Sequence, residues 1–197
     1  NGSLLIFDET ITGFRFAPGG AQEYYNVYPD ITILAKAIAN GFPVAAITGS
    51  RELMSLLTSG KVVHGGTYNS QYLSMIATVK TLENYSRNNF HNELMKKTTF
   101  LKKGLERVFF DQNITCVLSS FPGFIFCGFG IKRQPQEYRD LLSLNSEMYI
   151  SFCLEMIIRG VRILERGAWF ISIEHSKEIL QETLEIAREA AKAIKKN

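Results

Sequence analysis

Two apolar runs dominate the first half of the chain, Leu4-Leu5-Ile6-Phe7 before Asp8 and Ile31 to Ala35 before Lys36. The first lacks polar alternation, the pattern of a short strand buried on both faces of a parallel sheet covered by helices. Between the runs, Gly13 and Pro18-Gly19-Gly20 mark loop and Gln22 to Val27 suits a short helix. Tyr28-Pro29-Asp30 then turns the chain into the second run. After the breaks at Gly41 and Pro43, Val44 to Thr48 predicts another buried strand stopped by Gly49. Ser50 is placed to cap a helix over Arg51 to Leu57, with Glu52 in its first turn and Gly60 beyond its end. A glycine-containing loop, Val62 to Ser70, leads into a helix predicted over Gln71 to Ser86.

Asn88-Asn89 marks the internal boundary. Beyond it Leu94, Leu101, Leu105 and Val108 recur at helical spacing, with Lys96, Lys97, Lys102 and Lys103 on a solvated face. Ile114 to Leu118 and Gly123 to Phe129 read as short strands around a Phe121-Pro122-Gly123 turn. Asn145 to Arg159 predicts a helix stopped by Gly160, and Val161 to Leu164 and Trp169 to Ile173 predict further strands. Ser176 caps a last helix with an apolar stripe of Ile179, Leu180, Leu184, Ala187, Ala191 and Ile194. Lys192, Lys195 and Lys196 complement its dipole. The pattern as a whole predicts an α/β chain. A mostly parallel sheet with helices occupies residues 1–88, and a smaller α+β domain occupies 89–197.

Composition narrows the classes. With 197 residues, 46% hydrophobic and 21% charged, the chain is large enough for a substantial core. A net charge of +3 with scattered basic residues gives no case for nucleic acid or an anionic membrane as partner. No apolar run approaches a membrane span, and the opening residues lack the pattern of a signal peptide. Cys116, Cys127 and Cys153 form no Cys-x-x-Cys pair, which reads as reduced, buried thiols in a cytoplasmic protein. His64, His91 and His175 lack metal-ligand spacing, so no metal is expected. The chain opens at Asn1 and enters a buried-type strand within a few residues. That is the expectation for the carboxyl-terminal part of a longer protein.

The candidate chemistry lies where the two apolar runs end. A carboxylate at the carboxyl end of such a strand stands where open α/β sheets hold their ligands. Lys36 has alanine on either side and Ile31, Ile33, Leu34 and Ile38 close by, leaving room for a partner to approach its amine. Burial among such neighbours favours the neutral, nucleophilic amine. A lysine and a carboxylate in this relation suit pyridoxal 5′-phosphate: the amine forms an imine with the cofactor aldehyde and the carboxylate keeps the pyridine nitrogen protonated. Four apolar residues before Asp8-Glu9 also match the magnesium-binding strand of P-loop ATPases, but no Gly-x-x-x-x-Gly-Lys-Ser/Thr run occurs. Gly65-Gly66-Thr67 before the helix offers backbone N–H groups and a hydroxyl for a phosphate, or equally an ordinary helix cap.

Leu4-Leu-Ile-Phe-Asp-Glu-Thr-Ile-Thr-Gly-Phe-Arg15 followed by Leu34-Ala-Lys-Ala-Ile-Ala-Asn-Gly-Phe-Pro-Val-Ala45 resembles the class III aminotransferases, most specifically over residues 4–83. The resemblance implies the later part of the fold-type I large domain, then a small carboxyl-terminal α+β domain. It also implies a homodimer with active sites at the subunit interface, exchanging an amino group between a small amino compound and a carbonyl. It makes Lys36 the cofactor-bearing lysine and proton shuttle, Asp8 the partner of the pyridine nitrogen, and Thr67, with Gly66, a phosphate contact for the neighbouring subunit. Where the family has Asn-Pro after the threonine, this chain has Gln71-Tyr72, which leaves the helix entry open. Glu165 matches a small-domain active-site carboxylate, or is an exposed loop residue. Glu9 supports the loop, and Arg15 lies near the site. A non-catalytic relative of the same fold, kept for dimerisation or as a remnant, is the third reading.

Overall fold

The computed structural model describes residues 2–87 and 89–195. Asn88, one of the two boundary asparagines, and Lys196 of the terminal lysines lie outside the described residues. The chain forms two compact units, residues 1–91 and 92–197.

The first unit is built on a three-stranded sheet in the order β1 (Ile6–Glu9), β2 (Ile31–Leu34), β3 (Ala46–Gly49). β1 and β2 are parallel, with Asp8 opposite Ile33 and Glu9 opposite Leu34, and β3 runs antiparallel to β2. Asp30 starts this register: its carboxylate accepts from the Leu5 amide at 2.8 Å, and its own amide donates to the Leu5 carbonyl at 2.8 Å. The apolar run at Leu4 to Phe7 is therefore only partly strand, and it is not buried on both faces. Leu4, Leu5 and Ile6 are 51%, 45% and 52% exposed, because β1 is an edge strand whose outer face no described residue covers.

Among the described residues, three α-helices accompany the sheet. α1 (Gly20–Tyr25) ends at Asn26 in the left-handed conformation. α2 (Arg51–Thr58) is capped by Ser50, whose Oγ accepts from the Leu53 amide at 3.3 Å, as its sequence predicts. α3 (Tyr72–Tyr85) is capped by Gln71.

The second unit holds most of α4 (Phe90–Asp111), the antiparallel sheet β4 (Cys116–Phe121), β5 (Phe124–Phe129), β6 (Ala168–Phe170), and the helices α5 (Ser146–Ile158) and α6 (Lys177–Ala193). Leu94, Leu101, Leu105 and Val108 are buried along one face of α4, matching their spacing. Phe109, Phe129 and Phe152 meet edge-on or tilted in the core, and Trp169 Nε1 donates to the Tyr149 hydroxyl at 2.9 Å. Gly104 lets α4 approach α6 closely, since a Cβ there would collide with Leu184.

The strand expected over Val161 to Leu164 does not form. The Val161 amide bonds back to the Met156 carbonyl as α5 closes, and an irregular connection with Ile163 buried follows. The next strand stops at Phe170, and beyond it the Ser172 amide donates to His175 Nδ1. Ile179 is 47% exposed, so the buried stripe of α6 begins at Leu180. All three cysteines are free, and burial pushes the Cys116 and Cys153 thiols to about 11 and Cys127 well above its ordinary value. Among the described residues no helix is long and apolar enough to cross a membrane.

Candidate active site at the ends of two parallel strands

The parallel register of β1 and β2 brings Asp8 and Lys36 to the same end of the sheet. Asp8 lies in the last turn of strand before the chain bends at Thr10. The Thr10 amide donates to Asp8 Oδ1 at 3.0 Å. Hydrogen bonds from the Thr10 side chain and backbone hold the Asp8 carboxyl below its ordinary range, and the positive charge of Lys36 acts in the same direction. Asp8 is exposed and stays an anion.

Lys36 does not lie on a strand. It opens a single 3₁₀ turn, Lys36–Ala39, directly after the extended Ala35, with φ at 47°. Its neighbours Ala37, Ile38 and Ala39 are only 6%, 6% and 0% exposed, whereas Lys36 itself is exposed. The burial expected for Lys36 from its apolar surroundings is thus corrected. Those side chains anchor the turn beneath it, and the left-handed backbone directs the lysine outward.

Tyr85, the last residue of α3, donates its hydroxyl to the Ala37 carbonyl at 3.0 Å. No sequence pattern pointed to Tyr85, because its partner lies 48 residues away. Burial raises the Tyr85 phenol above its usual range, opposed by the nearby Arg15 guanidinium, so it remains a donor. Arg15 is half-buried beside it and pushed down by the same desolvation.

Glu9 has a definite task. It is 1% exposed, and its carboxylate accepts from the Thr12 hydroxyl at 3.1 Å and from the Ala21 and Gln22 amides at 2.6 and 3.2 Å. It thereby satisfies the open N–H groups at the start of α1. Gly20, with φ at 78°, leaves the space: a Cβ there would strike both carboxylate oxygens.

Gly66 and Thr67 lie in an exposed loop ahead of α3, where the Gly66 carbonyl accepts from the Asn69 amide at 3.0 Å. Thr67 does not cap the helix. That role falls to Gln71, whose Oε1 accepts from the Ser74 amide at 2.8 Å and from the buried Ser74 hydroxyl at 2.7 Å. The departure at Gln71-Tyr72 therefore still yields a capped helix entry. Glu165 belongs to the second unit, exposed in the turn before Gly167, where it adds to the effect of burial in raising the Cys153 thiol.

Fold and site together define a class: the chain matches the family model of the class-III aminotransferases over residues 1–190 and belongs to that family. This membership displaces the P-loop alternative. Among curated relatives, glutamate-1-semialdehyde 2,1-aminomutase of Francisella tularensis subsp. tularensis is 39% identical over 195 residues, covering 95% of this chain and 44% of the relative. The enzyme of the same name from Wigglesworthia glossinidia brevipalpis is 35% identical, covering 98% and 45%. In three dimensions the chain is similar to an omega-transaminase from Sphaerobacter thermophilus, with TM-score 0.88 and 25% identity over 98% of this chain and 45% of that one. It also shares the fold of a glutamate-1-semialdehyde-aminomutase from Pseudomonas aeruginosa PAO1, with TM-score 0.85 and 18% identity over 97% of this chain and 45% of that one. The chain thus spans less than half the length of the relatives it matches.

Proposed function

We propose that this chain supplies the reactive lysine, the pyridine-binding carboxylate and one phosphate contact of a pyridoxal 5′-phosphate enzyme. The enzyme moves an amino group between a small amino compound and a carbonyl. The observation that carries the reading is that the parallel strands bring Asp8 and Lys36 to one end of the sheet, one an anion and the other an exposed amine. The donor set fits the cofactor. Asp8 is held ionised by Thr10 and can keep a ring nitrogen protonated, Lys36 presents a primary amine from a fixed turn, and the Thr67 hydroxyl is not engaged in capping α3.

When bound, the cofactor supplies an electron sink for a carbon that loses its proton. Lys36 Nζ would hold the cofactor at its aldehyde and would move a proton at the substrate carbon. Asp8 fixes the ring orientation and its charge. Gly66 and Thr67 serve the phosphate, by resemblance that of the neighbouring subunit of a homodimer, and Glu165 serves the substrate from the small domain. Identities of 35–39% to aminomutases favour glutamate-1-semialdehyde as substrate over an amine and a separate acceptor.

This chain by itself is expected to be inactive, so the test is turnover by the complete enzyme that contains it, loaded with pyridoxal 5′-phosphate and compared with Lys36→Ala. The account predicts a loss of at least about 10³-fold. Wild-type turnover in Lys36→Ala would overturn it. Conversion of amine and ketone pairs but not of the semialdehyde would make the enzyme a transaminase and remove the aminomutase assignment.

A further inference from the structure

We infer that Tyr85 is a positioning residue that fastens both the turn bearing Lys36 and the loop leaving Asp8 to the end of α3. The inference rests on the reading of Lys36 as the reactive amine.

Two contacts leave the same ring in different directions. The Tyr85 hydroxyl donates to the carbonyl of Ala37, the residue after Lys36, at 3.0 Å. The ring stacks on Phe14, with centroids 5.9 Å apart and planes 20° from parallel. Phe14 belongs to the loop between Asp8 and α1, and the His91 Nε2–H donates to its carbonyl at 2.9 Å. Phe90 packs edge-on against Tyr85 at 5.1 Å, a third contact to the same side chain.

Backbone conformation explains why a fastener is needed. Lys36 and Phe14 both have positive φ, 47° and 61°, a region that side-chain-bearing residues avoid. Such conformations persist only where the surroundings over-determine them. Lys36 is itself a site residue and Phe14 lies in the loop that leaves Asp8, and each is tied, directly or through its neighbour, to Tyr85. Ala37 is 6% exposed, so its carbonyl has little access to water when the phenol is removed. Burial keeps that phenol protonated and able to donate.

Tyr85→Phe removes the hydroxyl and keeps the ring, and two readouts follow. In hydrogen exchange by mass spectrometry, the peptide over residues 35–42 is expected to exchange about fivefold faster, with α6 unchanged. In labelling with pyridoxal 5′-phosphate and cyanoborohydride, the ratio of Lys36 to Lys192 modification is expected to fall by a similar factor, about fivefold. Wild-type values in both would show that Tyr85 only fills space and overturn the inference. Labelling of Lys36 no faster than Lys192 in the wild type would instead defeat the lysine reading, while the exchange data still decide the role of Tyr85. Should Tyr85→Phe not fold, Phe14→Leu carries the test. It keeps the hydroxyl bond, so exchange is expected to rise over residues 10–16 and not over 35–42, and an unchanged 10–16 segment would overturn the inference.

Discussion

Thr10 holds the Asp8 carboxyl below its usual range through hydrogen bonds from its side chain and backbone, and the positive charge of Lys36 at the same end of the parallel strands acts in the same direction. A lowered carboxyl in the folded state contributes stability that is present above the unfolded value of 3.8 and is lost as the pH falls through the lowered value. Asp8 is therefore an anion at every pH at which such an enzyme works. Asp8→Asn keeps the shape and removes the charge. Turnover should drop on the order of 10²-fold while the cofactor still binds, as read from its absorbance on the protein. Near-normal turnover would remove Asp8 from its role.

Glu9 makes a separate prediction about stability. Its buried carboxylate accepts from two amides and a hydroxyl, so Glu9→Ala leaves those donors without their partner. The expected cost is about 1–3 kcal/mol, read from the urea midpoint at constant slope. Gly20→Ala should also destabilise, because the new methyl meets the same carboxylate at a backbone angle that favours glycine. An unchanged midpoint in both variants would mean that the contact between Glu9 and α1 carries no weight.

The fold class and most helices were legible because their signals are local. Ser50 and Ser176 cap helices they immediately precede, and the apolar stripe of α4 is buried as its spacing requires. Asp8 and Lys36 could be singled out because each ends an apolar run. What could not be read depends on partners distant in sequence. Tyr85 meets Ala37 only through the tertiary fold, and the cap served by Glu9 requires the chain to return at Gly20. Lys36 misled for a different reason: apolar neighbours on both sides looked like burial, yet one left-handed residue turns the side chain outward. Val161 to Leu164 had strand composition, but the closing hydrogen bond of α5 removed its first amide from any ladder.

The thiols give a prediction about pH. Burial raises Cys116 and Cys153 from 9.0 to about 11, so the unfolded chain ionises first as the pH rises. Their contribution is complete below pH 9 and is lost between 9 and about 11. At pH 8 the thiolate fraction in the folded protein is about a hundredfold lower than in the unfolded chain, and iodoacetamide should react more slowly by that factor. Equal rates in native and urea-unfolded protein would contradict the shielding of buried Cys153 and half-buried Cys116.

The central claim is that Lys36 is the residue to which the cofactor is attached, and borohydride reduction tests it most directly. The protein loaded with pyridoxal 5′-phosphate, reduced and digested, should carry the pyridoxyl group on one peptide, the one containing Lys36, and Lys36→Ala should carry none at that position. A label fixed stoichiometrically on any other lysine, with Lys36 unmodified, would contradict the account.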